Sequence, residues 1–180
     1  MSVLGAMLPA RRGGRWSRPP LSLREILRCR RLPHVVAGIM EDTTDMTVFL
    51  NPCQQSYERL GSHKAPRYIT WSRENRSQLI RIAAADESHR RAELRSADPT
   101  ANPYLAFALL IRAGLYGIRS RLELPMATDF NIYTAPADVL SRYEKLPAGL
   151  REAKAVAGAS DFIREQLPAS VPYTPLTLPT

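Results

Sequence analysis

The segment Arg91-Ala92-Glu93-Leu94-Arg95 sets one carboxylate between two guanidinium groups. Read as a strand, it sends Arg91, Glu93 and Arg95 to one face and Ala92 and Leu94 to the other, because side chains alternate along extended backbone. Arg81, between Ile80 and Ile82, repeats the arrangement upstream, and Arg76 stands in the loop before it. A guanidinium is a planar, permanently charged fork of donors that matches the oxygens of carboxylates and phosphates in pairs. Several such forks around one acid suit a site that clamps phosphate and carboxylate groups, with the acid free for a metal or another cation. The same pattern also fits a cross-strand ladder of salt bridges on a solvated sheet face. Spacing alone leaves both open.

Other chemistries find little support. His34, His63 and His89 form neither H-x-x-x-H nor H-E-x-x-H, so a histidine zinc centre is not expected. Phosphate-loop, dinucleotide-fold and nucleophile-elbow signatures are absent. Cys29 and Cys53 make no C-x-x-C pair and no disulfide framework, which points to a reducing compartment. No run approaches the roughly 18 apolar residues of a membrane helix.

The elements that must hold these arginines follow from periodicity. Val35, Val36, Ile39 and Met40 recur at helical spacing, and Met46, Val48, Phe49 and Leu50 carry the pattern to Asn51-Pro52. A polar loop over 51–66, broken by Gly61 and Pro66, leads to three short alternating segments: Arg67–Trp71, Gln78–Ile82 and Arg90–Arg95. These read as antiparallel strands. The turn Asp98-Pro99 to Asn102-Pro103 introduces the strongest helix, Tyr104–Leu122, whose Tyr104, Leu105, Phe107, Leu109, Leu115 and Ile118 are expected in the core. Weaker helices are expected near Ala137–Lys145 and Leu150–Leu167. The fold class is α+β, with short antiparallel strands and flanking helices.

The chain has 180 residues, 44% of them hydrophobic and 23% charged, which excludes collagen-like and wholly disordered classes. Its net charge of +8 is unevenly placed. Residues 1–33 hold eight arginines against Glu25 alone, whereas residues 34–180 hold 17 basic and 16 acidic side chains. The first 33 residues therefore read as a disordered Arg/Pro-rich arm, and 168–180 as a Pro-rich tail. Arginine excess with little acid also matches an organelle-targeting leader or a nucleic-acid-binding arm. Both remain secondary, because the body of the chain is near neutral, so neither a nucleic-acid nor a membrane partner is expected.

The order of short motifs goes further than their spacing. Asn51-Pro52, Ser56-Tyr57-Glu58-Arg59-Leu60, Ala65-Pro66, Trp71-Ser72, Asn75-Arg76-Ser77, Ile80-Arg81-Ile82, Glu93-Leu94-Arg95-Ser96, Asp98-Pro99 and Ala101-Asn102-Pro103-Tyr104-Leu105-Ala106 follow one another. This series, running on through Ala113-Gly114-Leu115 and Gly117-Ile118, resembles the C-terminal part of the glutamine synthetase catalytic domain over residues 34–167. The resemblance implies a cytoplasmic ligase that joins glutamate and ammonia with ATP, through a γ-glutamyl phosphate and with Mg²⁺ or Mn²⁺. It implies glutamate-binding roles for Arg59 and Arg95, a catalytic role for Arg76 on the transferred phosphate, ATP-binding roles for Arg81 and Arg91, and a metal-ligand role for Glu93. Tyr133 falls where some relatives carry an adenylylated tyrosine. Relatives that glutamylate other amines share the same motifs.

The departures from that family bear on activity. Full-length members are more than twice as long and form stacked rings in which a small N-terminal domain completes each neighbouring site. Their other metal-binding glutamates lie upstream of the matched part, and residues 1–33 contain none of those motifs. Lys64 stands where relatives carry a glutamate that takes the proton from bound ammonium. The expectation is therefore a C-terminal synthetase segment inactive alone, its beginning replaced through a start, frame or genomic boundary. The alternative is a non-catalytic relative that binds synthetase rings or ligands. An isolated segment of this kind is also expected to expose apolar patches.

Overall fold

Helix α1 (Leu32–Leu50) carries Pro33 in its first turn, where the fixed φ of proline suits a helix and its missing N–H has no intrahelical acceptor to lose. The computed structural model describes residues 31–62, 64–83 and 91–167. The arm up to residue 30, the tail from 168, and Cys29, His63, His89 and Arg90 lie outside the described residues. After α1 come the short α2 (Gln54–Glu58), strands β1 (Trp71–Arg73), β2 (Ile80–Ile82) and β3 (Ala92–Leu94), and the long α3 (Pro103–Ser120). The chain continues through α4 (Ala137–Leu140), α5 (Leu150–Ala159) and α6 (Asp161–Gln166).

The α+β class is observed, with one difference in the sheet. Its order is β1-β2-β3, but β1 pairs with β2 in parallel and only β2–β3 is antiparallel. The expected strand over 67–71 is displaced because residues 67–69 already have partners elsewhere. Ile69 N donates to Glu144 O at 2.8 Å and Leu146 N to Arg67 O at 2.8 Å. The same pairing ends the helix expected at 137–145 after Leu140, since 144–146 must run extended to meet 67–69. With Trp71 as its first residue, β1 meets β2 through a tight loop over 74–79, in which Glu74 takes a left-handed φ of 68°.

Helix α3 is capped by Asn102, whose Oδ1 accepts from Tyr104 N at 3.0 Å and Leu105 N at 3.3 Å. It packs along α1 at close range. A Cβ on Gly38 would come within 2.8 Å of Gly117 Cα, and one on Gly117 within 2.8 Å of Gly38 N. The two backbones therefore touch, and only hydrogen fits between them. Met46, Leu50, Leu79, Ile80, Leu109, Leu146 and Ile163 fill the core between these helices, the sheet and α6, each fully buried.

Two further expectations for the helices are corrected. Tyr104 and Phe107 of α3 are not core residues: they stand 85% and 64% exposed, because the packed side of α3 is the one carrying Ala106, Leu109, Ala113 and Gly117. The helix expected over 150–167 is two, broken at Ser160. There the hydroxyl donates to Asp45 of α1 and accepts from Ile163 N at 3.1 Å, starting α6 afresh. No helix of the described residues is long and apolar enough to cross a membrane.

Candidate functional site

The pairing register decides which side chains share a sheet face. Arg81 lies opposite Ser72 on β1 and Glu93 on β3, so one row of polar groups crosses the sheet while Ile80 on the other face enters the core. Arg81 Nε donates to Glu93 Oε2 at 2.7 Å. Ser72 donates to Asp129 Oδ1 at 2.6 Å, which fixes the far end of the row. The Arg81 hydrogen bond, aided by the positive charges of Arg81, Arg95 and Arg76, holds the Glu93 carboxyl below its ordinary value against the opposing effect of burial.

The Asn-Arg-Ser motif works as a folding device around its arginine. Asn75 Nδ2 donates to the carbonyls of Asp129 and Phe130, each at 3.1 Å, while its Oδ1 accepts from Ser77 N and Oγ, each at 2.9 Å. Ser77 Oγ in turn accepts from Ile132 N at 3.2 Å. Asn75 and Ser77 thus fold the loop onto 129–132, and Arg76 between them stays exposed at the site. On the opposite rim, Gly61 and Lys64 take left-handed φ values of 90° and 67°. That turn is closed by Gly61 N to Ala65 O at 2.7 Å, and Arg95 Nη2 donates to Lys64 O at 3.0 Å.

These elements enclose an open cavity of about 550 Å³, lined by Lys64, Asn75, Arg76, Ser77, Arg81, Glu93, Arg95, Asn131 and Tyr133. Among the described residues, four cations and one acid line it. Arg95 Nε is buried there without an acceptor, an orphaned donor that an anion would satisfy. Burial raises the Tyr133 phenol above its ordinary value, with Arg95 opposing.

Four of the six site residues expected from sequence, Arg76, Arg81, Glu93 and Arg95, therefore meet in one cavity. Arg59 and Arg91 are not among its lining residues. Arg59, just past α2, donates through Nε to Asp98 Oδ2 at 3.2 Å and through Nη2 to Asn51 Oδ1 at 2.9 Å and to the Ser96 carbonyl. It ties the turn after β3 to the end of α1. Arg91 lies exposed beside β3, its carbonyl accepting from Ala83 N at 3.2 Å. Sequence reasoning did not place Asn131 and Tyr133 at the cavity. Their Asn-Ile-Tyr run carries no charge that would have marked it, and only the bonds from Asn75 and Ser77 bring it there.

The described residues do not by themselves form a divalent-metal site. Glu93 is the one carboxylate lining the cavity, it is engaged by Arg81, and no cluster of three or more His, Cys, Asp or Glu side chains able to hold a metal occurs among the described residues. Mg²⁺ asks for near-octahedral oxygen coordination, which one paired carboxylate among four cations does not begin to supply.

The fold and the cavity define a class: an α+β segment whose cleft gathers cationic side chains around one carboxylate. The family model "Glutamine synthetase, catalytic domain" matches residues 28–173, and the chain belongs to that family. It is 41% identical over 139 residues to a glutamine synthetase of Methanosarcina mazei, covering 74% of this chain and 31% of that protein. It is 39% identical over 117 residues to a glutamine synthetase of Staphylococcus aureus, covering 64% of this chain and 25% of that one. Among solved structures it resembles "GmaS/ADP complex-Conformation 1", with a TM-score of 0.66 and 28% identity over 78% of this chain and 33% of the other. "Apo GmaS without ligand" is similar at a TM-score of 0.64. The chain spans a quarter to a third of the length of these relatives.

Proposed function

We propose that the cavity is the phosphate- and carboxylate-holding part of a glutamine synthetase-type site, in which ATP activates the γ-carboxyl of glutamate for attack by ammonia. The observation that carries this is the convergence of Arg76, Arg81 and Arg95 around Glu93 in a chain of that family. Phosphoryl transfer is accelerated mainly by positioning and by countering charge on the transferred oxygens. Arg76, exposed on a loop that Asn75 and Ser77 hold rigid, is the group free to follow the transferred phosphate. Arg81, anchored by Glu93, holds a nucleotide phosphate from a fixed sheet position. Arg95 offers its unpartnered Nε to a substrate carboxylate. Arg59 acts here as the anchor of the turn that carries Arg95, through Asp98 and Ser96.

The last step, amine attack, needs a proton acceptor. Lys64 at the rim is a cation, and Glu93 is made less basic by Arg81. Together with the unsuited metal donors, this favours binding without turnover in the chain alone. Calorimetric titration of the 180-residue protein with ATP, beside a glutamine-formation assay, tests both halves. Binding that falls at least about tenfold in Arg76→Ala and in Arg81→Ala, with no glutamine above background, is the expected result. Absence of ATP binding would sink the site assignment. Turnover far above background would sink the claim of binding alone.

A further inference from the structure

We propose that Lys64 sets the charge selectivity of the cavity, turning it into a metal-independent site for an oligophosphate chain and closing it to cations. This rests on the reading of the cavity as phosphate-holding and goes beyond it, because Lys64 has no part in that assignment. Of the four cations that line the cavity, Arg81 is paired with Glu93 at 2.7 Å. Among the described residues no ion pair joins Lys64, Arg76 or Arg95 to an acid. Among the described residues, three positive groups therefore face the same volume with the paired Glu93 as the one acid lining it. A divalent ion or an ammonium entering it meets net repulsion, whereas a chain of phosphates meets three donors spread around its length.

Lys64 is held where it can act. Its left-handed turn is closed by the Gly61–Ala65 hydrogen bond and by Ala65 N to Ser62 O at 2.9 Å. Its carbonyl is gripped by the Nη2 of Arg95, itself a lining residue. An anion that satisfies the free Nε of Arg95 thereby braces the loop that carries the lysine. The ammonium can then take the role of counter-charge that a divalent ion would otherwise fill between phosphates.

The test is titration of the full chain with inorganic tripolyphosphate in excess chelator, for the wild type, Lys64→Gln, Lys64→Glu and Arg76→Ala. The arginines of residues 1–31 are common to wild type and variants, so differences between the titrations are read as the cavity's contribution. Binding without metal, weakened about tenfold in Lys64→Gln and further in Lys64→Glu, is the expected result. A parallel spectroscopic titration with Mn²⁺ is expected to show no uptake by the wild type, and uptake there would overturn the exclusion of cations. If Arg76→Ala loses tripolyphosphate while both Lys64 variants bind as the wild type does, the phosphate-holding reading stands and the role of Lys64 fails. If wild type binds only when Mg²⁺ is added, the metal-independent site is overturned, and if nothing binds at all, both readings fall together.

Discussion

Arg81 and Glu93 were legible in the sequence as an alternating row, and the structure makes them direct partners across β2 and β3. Because the folded protein lowers the Glu93 carboxyl, the pair contributes stability above the unfolded carboxyl value of about 4.3 and loses it as pH falls through the lower folded value. Wild type is thus expected to exceed Glu93→Gln in unfolding free energy at neutral pH, the two converging in acid. Since the Glu93 side chain is 43% exposed, the gap is no more than about 1 kcal/mol. Urea melts from pH 3 to pH 7 check both the sign and the convergence. Lys64 gives a second expectation. Its left-handed conformation costs an L-residue about 1–2 kcal/mol, partly offset by the greater unfolded-chain entropy of glycine. Lys64→Gly should therefore raise the urea midpoint, by a net of about 0.5–1 kcal/mol, in the same variant that removes the charge at the cavity rim.

The glycines of α1 and α3 show how an element can depend on a missing side chain. Gly117→Ala would push a methyl into the backbone of Gly38, and no rotamer change can relieve a clash with backbone. A loss of about 3 kcal/mol is expected in denaturant melts, with the unfolding slope unchanged. Gly158, whose Cβ would meet nothing within 4 Å, is the matched control on α5: alanine there should be neutral or stabilising. Helix α3 also depends on its start. Asn102→Ala removes the acceptor of two terminal N–H groups and should cost about 1 kcal/mol in the same assay. The turn ending in Asn102-Pro103 was visible in the sequence as the lead into this helix. The close approach was not, since glycine reads the same way in a turn, at a helix end or at a packing face.

Taken whole, the molecule leaves one side of α3 uncovered. Tyr104, Phe107 and Ile111 recur at helical spacing there, 85%, 64% and 44% exposed. Exposed aromatic and aliphatic side chains grouped at that spacing favour association with another apolar surface. Phe107→Glu is expected to lower concentration-dependent light scattering and hydrophobic-dye fluorescence. Tripolyphosphate binding should stay as it is, because the stripe and the cavity share no residue. An unchanged dye signal would show that the stripe is not the patch being read.

The order of motifs along the chain was enough for the family, and period-two and helical spacing were enough for the α+β class, because both are local properties of the string. All six expected site residues could be named because they sit in short motifs or on alternating segments, and four of them, Arg76, Arg81, Glu93 and Arg95, line one cavity. Which of those residues meet was decided by long-range bonds alone. The Asn75 and Ser77 bonds to 129–132 bring Tyr133 to the cavity, while Arg59, held by Asp98, Asn51 and Ser96, is not among its lining residues. The parallel pairing of β1 likewise depends on 67–69 having met 144–146, and the facing of α3 on the side that α1 covers. Periodicity can mark an apolar stripe. Only the packed neighbour determines which stripe is buried, because burial is a relation between elements that lie far apart in the chain.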